Sequence, residues 1–182
     1  MSMASHALPD SIQTPRLLLR QPRADDAQAI FDAYTQDERV CKYMIWSPHR
    51  EIAETECFIA GAIVAWGVGA RLAYVLVDAD AGGAIGMLEA RVQGSTVDIG
   101  YVLARALWGR GLMPEAIGAL ASAALARPQF FRVQATCDVT NTASARTLEK
   151  AGFAREGRLE RYTVHPNLAP EPRACFMYAR VR

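Results

Sequence analysis

The chain lacks most of the features that would mark a membrane, metal or nucleic-acid protein. Its longest apolar runs, such as Phe58–Trp66 and Ala116–Ala126, fall well short of the roughly 20 residues that span a bilayer. The opening MSMASHALPDS has neither a basic start nor an apolar core, so it is not expected to be a secretory signal. Four cysteines (Cys41, Cys57, Cys137 and Cys175) show no C-x-x-C spacing. Three histidines (His6, His49 and His165) form no H-x-x-x-H pair. That scatter supplies neither a zinc set nor a disulfide framework; it suits small buried thiols in a reducing compartment, here the cytoplasm. Charge of one sign is also missing. Twenty Lys and Arg stand against 19 Asp and Glu, a net charge of +1, with no basic block or stripe to hold nucleic acid.

What remains is the composition of an ordinary globular chain. Of 182 residues, 51% are hydrophobic and 21% charged, enough for one compact domain with a sizeable core. Residues 1–11 are expected to be a flexible leader, followed by a single domain over 12–182 that acts as a monomer or homodimer.

Hydrophobic spacing divides the chain. Arg16–Arg20 (RLLLR) predicts a strand stopped at Gln21-Pro22. Asp25 and Asp26 precede Ala29, Ile30, Ala33 and Tyr34, which is acid at a helix start followed by helical spacing. Cys41–Arg50 reads as an irregular loop. A helix is expected over Glu51–Trp66, ended by Gly67 and Gly69. Leu72–Val77, Ile85–Val92 and Val97–Leu103 read as strands. A helix from about Leu112 to Leu125 carries the stripe Ile117, Leu120, Ala121 and Ala124. Arg132–Cys137 reads as a strand and Thr142–Ala151 as a helix stopped by Gly152. Arg158–Val164 and Cys175–Val181 bracket a proline-rich loop. The order βααβββαβαββ predicts a mixed α/β fold: one mixed sheet with helices on both faces.

Within it, VDIGYVLARALWGRGLMPEA (97–116) stands out as a strand, a turn with Gly109 and Gly111, and a helix start. A helix start offers unpartnered N–H groups and partial positive charge, and glycine lets the backbone come close to a phosphate. A phosphate-bearing cofactor fits this arrangement, and so does a plain glycine-containing connection. Neither G-x-G-x-x-G nor G-x-x-x-x-G-K-[ST] is complete.

Four blocks carry a resemblance. TPRLLLRQPRADDAQAIF, VDIGYVLARALWGRGLMPEA, NTASARTLEKAGF and EGRLERY, spanning Thr14 to Tyr162, together resemble the GNAT acyl-CoA N-acyltransferases of the RimJ/RimL-like branch. The resemblance implies a GNAT fold, whose twisted central sheet is mixed but mostly antiparallel, and acetyl-CoA as co-substrate. It also implies that backbone amides of Gly109, Arg110, Gly111, Leu112 and Met113 cradle the CoA pyrophosphate. Trp108 and Met113 depart from the common Q/R-x-x-G-x-G/A pattern at positions where backbone makes the contacts. Tyr101, Val102 and Leu103, on the strand before the loop, would meet the thioester. Asn141 and Ser144 fall on the N-x-x-S of the second cofactor block, Asn141 toward the pantetheine arm and Ser144 toward the leaving thiolate. Asn141 also suits a helix cap. Many relatives carry a tyrosine where this chain has Leu148, which shifts weight onto Ser144. Arg146 and Lys150 read as solvated charges within reach of CoA phosphates, and Cys137 as a core thiol.

Transfer to an amine needs a proton acceptor and a donor for the thioester oxygen. Glu89, expected on one strand face with Ile85 and Met87, is the first candidate base, since apolar neighbours raise a carboxyl pKa. A charge pair with Arg91 is the alternative. Asp98 is the second candidate, with a structural pairing to an arginine equally open. Trp46, His49, Tyr162 and His165 are the candidate acceptor-binding residues, for a peptide N-terminus, an amino acid or a small amine. A catalytically decayed acyl-CoA-binding sensor or interaction module is the alternative to an enzyme.

Overall fold

The computed structural model describes residues 7–69 and 71–182. Eight strands form one sheet in the order β1-β2-β3-β4-β5-β6-β8-β7. They are β1 Ser11–Gln13, β2 Leu17–Arg20, β3 Leu72–Asp78, β4 Ala84–Gln93, β5 Thr96–Leu103, β6 Arg132–Asp138, β7 Ala154–Thr163 and β8 Arg173–Val181. Every neighbouring pair is antiparallel except β5 with β6. The mixed, mostly antiparallel sheet expected from the sequence is what forms. No helix of the described residues is long and apolar enough to cross a membrane.

The helices are α1 Asp26–Ile30, which runs on into a π turn at Phe31–Thr35, α2 Glu38–Cys41, α3 Ile52–Gly67, α4 Leu112–Leu125 and α5 Thr142–Lys150. They cover both faces of the sheet. Strand β3 shows how: Leu72, Tyr74 and Leu76 join the core under α4, while Ala73, Val75 and Val77 join the core under α1 and α3. Successive side chains on a strand point to opposite faces, so a central strand covered twice is apolar throughout. The stripe Ile117, Leu120, Ala121 and Ala124 is fully buried against the first core.

Two expectations need correction. The leader of 1–11 is packed where it is described: Leu8 is 1% exposed, and the Pro9 carbonyl accepts from the Tyr74 hydroxyl at 2.5 Å. Ser11–Gln13 then adds the edge strand β1, and residues 1–6 lie outside the described residues. Ile85 does not share a face with Met87. A register shift opposite Leu76 and Val77 sends Ile85 to the α4 side, with Met87 on the α3 side.

Candidate active site

Strands β5 and β6 pair only over Thr96–Asp98 with Arg132–Gln134. Beyond that, β5 runs on to Leu103 and β6 to Asp138 without laddering to each other. The Ala104 N–H donates to the Ile85 carbonyl at 2.8 Å, so Ala104 faces β4. Alternation therefore turns the N–H groups of Tyr101 and Leu103 to the open edge. There the Leu103 carbonyl accepts from Trp108 Nε1 at 2.8 Å. Trp108, at a position where backbone contacts were expected, thus ties the loop to the strand end. A cavity of about 510 Å³ opens at this splay, between the start of α4 and the start of α5.

Gly109 and Gly111 have φ of 78° and 76°, and Gly111 is the N-cap of α4. Left-handed backbone at both positions costs glycine nothing, whereas a side chain there is strained. Gly109, Gly111, Leu112 and Met113 line the cavity together with Trp108, Tyr101, Val102, Leu103, Asn141 and Ser144. Arg110 is the one cofactor candidate that does not. Its carbonyl instead accepts from Arg16 Nη1 at 2.9 Å. Arg16 also pairs with Glu115 in the first turn of α4 at 2.6 Å, and the Thr14 hydroxyl donates to Glu115 at 2.7 Å. Burial would raise the Glu115 carboxyl, but the hydrogen bonds from Thr14 and Arg16 outweigh it and hold it below its ordinary range. The acid beside the helix start is thereby neutralised. Arg39, Lys42, Arg146 and Lys150 line the same cavity, with no carboxylate among its described lining residues. A wall of cations around a helix N-terminus suits a polyanionic ligand.

At the other end, Asn141 Oδ1 accepts from the Ser144 N–H at 3.1 Å, the cap expected of it. The turn before it is fixed by Asp138, which is fully buried and accepts from the Thr140 N–H at 2.8 Å and from Arg173 at 2.6 Å. Burial alone would raise the Asp138 carboxyl; the Arg173 and Thr140 hydrogen bonds outweigh it and bring the pKa to about 2. Leu148 is buried in the core and does not line the cavity. A tyrosine arrives from another direction: the Tyr101 hydroxyl lies 2.7 Å from Ser144 Oγ. Burial raises the Tyr101 phenol well above its usual range, so it stays protonated. Burial likewise pushes the Cys137 thiol up to about 11, partly offset by the Ser144 hydroxyl. A thiol so raised is a poor nucleophile.

A second cavity of about 160 Å³ lies on the α3 side of the sheet. Trp46 and His49 line it, together with Phe58, Arg71, Glu89 and Arg91. The His49 ring accepts from or donates to the Thr55 hydroxyl at 2.7 Å through Nδ1. Burial lowers its pKa, only partly countered by Glu54, so the imidazole is neutral at neutral pH. Glu89 is not the carboxylate among apolar neighbours that the sequence suggested. It pairs with Arg91 at 2.5 Å and with Arg71 at 3.4 Å. Asp98 pairs with Arg91 at 2.5 Å and lines neither cavity, so its structural alternative is the one observed.

Tyr162 and His165 also line neither cavity. Tyr162 is half exposed at the end of the edge strand β7, and His165 is buried, edge-on to Tyr43 with ring centroids 6.4 Å apart. The tail acts through a residue not anticipated, Asn167, whose Nδ2 donates to the Cys41 carbonyl at 2.7 Å and the Trp46 carbonyl at 2.8 Å. It clamps the 42–50 loop over the site. Backbone-directed contacts of this kind leave no periodic trace in a sequence.

The profile of the acetyltransferase (GNAT) domain matches residues 16–154. The chain is 30% identical over 159 residues to the uncharacterized N-acetyltransferase YoaA of Bacillus subtilis, covering 83% of this chain and 86% of that one. Among solved structures, a GNAT-family acetyltransferase from Bacillus anthracis superposes with a TM-score of 0.81 at 25% identity, over 94% of this chain and 98% of that one. The ribosomal L7/L12 alpha-N-protein acetyltransferase RimL, in complex with coenzyme A, shares the fold with a TM-score of 0.82 at 21% identity, over 94% and 97%. With a glycine-bearing helix start at a splayed strand pair, and a domain profile covering most of its length, the chain belongs to the GNAT acetyltransferase family.

Proposed function

We propose that this N-acetyltransferase moves the acetyl group of acetyl-CoA, held in the larger cleft, directly to a primary amine held in the smaller cavity. One observation carries the reading: the two cavities share Met44, Tyr101 and Val102 as a common wall. A thioester lying along the open edge of β5 therefore ends beside the place where an amine enters from the other side. RimL, a protein of the same fold, has been solved in complex with coenzyme A, which supports the ligand; the glycine-bearing helix start and the lining cations favour the larger cleft for it.

The backbone from Gly109 to Met113 and the cations around it hold the CoA phosphates. The Tyr101 and Leu103 N–H groups face the gap as donors to the thioester oxygen as it gains negative charge. The amine nitrogen attacks the carbonyl carbon, the C–S bond breaks, and the Ser144 hydroxyl hands its proton to the departing thiolate. The Tyr101 hydroxyl, protonated throughout, donates to the serine oxygen and orients it, and water restores the serine proton once the thiol has left. The proton shed by the amine passes through water to Glu89, whose carboxylate lines the acceptor cavity. No covalent enzyme intermediate is formed. The acceptor is a peptide N-terminus, an amino acid or a small amine.

Initial-rate kinetics with both substrates varied test the single-step transfer. Intersecting reciprocal plots are expected. Parallel plots, or acetyl label retained on the protein after gel filtration, would contradict it.

A further inference from the structure

The acceptor cavity is lined by one carboxylate and two guanidinium groups, and their pairing is unequal. Arg91 directs Nε and Nη2 at Asp98 and Nη1 at Glu89, with distances of 2.5 to 3.0 Å. Each of its three nitrogens is thus engaged. Among the described residues the Arg71 side chain makes one ion pair, 3.4 Å to Glu89, and it is 45% exposed. Guanidinium carries five donors in a planar fork matched to a carboxylate, so Arg71 keeps most of its binding capacity free at the cavity.

Glu89 and Arg71 thus set a negative and a positive charge side by side on one wall. A single carboxylate flanked by two arginines can meet one ammonium, while the guanidinium groups beside it repel a second cation on a polyamine. A ligand with its own ammonium and carboxylate a few ångströms apart complements both. Trp46 and Phe58 supply apolar walls for the carbons between them. At about 160 Å³ the space suits one residue-sized unit, below the roughly 300 Å³ at which drug-sized ligand pockets begin. We propose that the acceptor is an amine carrying a carboxylate on the same unit, an acidic peptide N-terminus or an amino-carboxylic acid, with its carboxylate held by Arg71 and its ammonium first met by Glu89. The proposal rests on the assignment of this cavity to the acceptor.

Two matched series test it, each varying only the charge at the far end. The small-amine series is 4-aminobutanoate, 4-aminobutanamide and 1,4-diaminobutane. The peptide series is three alanine-amide dipeptides beginning with glutamate, glutamine or lysine, and it separates a peptide source from a free one. Acetyl transfer from acetyl-CoA is measured as kcat/KM. In at least one series the acid is expected to exceed its amide by about tenfold or more, the scale of one hydrogen-bonded charge pair. Arg71→Gln should collapse that ratio to near one, chiefly through KM, and Arg71→Lys should restore part of it. An amide or diamine used as well as the acid in both series overturns the proposal, as does a preference that survives Arg71→Gln. Calorimetry of the acids with the CoA-loaded protein separates the two levels. Acid binding that needs Arg71, without turnover of any amine, contradicts the catalytic reading and leaves the proposed ligand class standing. Absence of acid binding contradicts the ligand class.

Discussion

The Tyr101 hydroxyl sits 2.7 Å from Ser144 Oγ, joining β5 to the first turn of α5 across the floor of the cleft. A phenol kept protonated by burial can donate to the serine oxygen and leave the serine proton to point at the thioester sulfur. Tyr101→Phe should lower kcat by roughly tenfold, one hydrogen bond of about 1.4 kcal/mol, with little change in acetyl-CoA affinity. Ser144→Ala should do at least as much. Because the two act as a unit, the double variant should be no slower than the worse single one. Losses that multiply would mean the two hydroxyls act separately.

The proton path gives a second expectation. If the smaller cavity takes the amine, Glu89→Gln should flatten the acidic limb of the pH–rate profile and lower turnover, with acetyl-CoA affinity nearly unchanged, because Glu89 lines that cavity and not the larger one. Asp98→Asn should leave that limb where it is, since Asp98 is committed to Arg91 outside both cavities. A limb that moves with Asp98→Asn instead would reassign the end of the path, and one that moves with neither would leave water as the acceptor.

Gly86 is where β4 presses on the end of β5. A Cβ there would lie 2.5 Å from the Val102 carbonyl oxygen, backbone that cannot swing aside. Gly86→Ala should destabilise the fold by about 1–3 kcal/mol, the usual range for forcing bulk into packed structure. It should also depress kcat/KM, because the displaced Val102 forms the wall between the cavities. Urea unfolding and turnover measured side by side check this; a variant normal in both would show that β5 gives way freely.

Much of this architecture is legible in the sequence. Helix α4 occupies Leu112–Leu125, the bounds its apolar stripe predicts, and the two left-handed glycines mark the loop before it. The sites that escaped depend on long-range contacts. Nothing near Leu8 signals that Tyr74, more than sixty residues on, will anchor it. The face of Ile85 turned on a register shift that a strict period of two cannot foresee. The Glu89 pair with Arg91, two residues along the same strand, is one of the two readings the sequence leaves open; Arg71, which joins it from the segment before β3, leaves no sequence signal. Tyr101 was read for its backbone alone; its side chain mattered because β5 and α5 meet in space.

Acid should weaken the end of β6. Asp138 titrates near 2 in the fold and near 3.9 unfolded. A carboxylate whose pKa is depressed on folding stabilises fully above the unfolded value, and that stabilisation is lost as pH falls through the folded one. The shift corresponds to about 2 kcal/mol, fully present at pH 6 and fading between roughly pH 4 and pH 2. Asp138→Asn should be less stable than the parent in urea at pH 6 and should lose less on acidification. Equal slopes for the two proteins between pH 5 and pH 2 would show that Asp138 does not carry this dependence.

The most direct measurement is a crystal structure with coenzyme A bound. The expected result places the pyrophosphate on the backbone amides between Gly109 and Met113, the pantetheine in the gap between β5 and β6, and the sulfur within hydrogen-bonding reach of Ser144 on the side facing Val102. Coenzyme A seated away from the Gly109–Met113 turn, or with its sulfur remote from the Tyr101–Ser144 pair, would contradict the account.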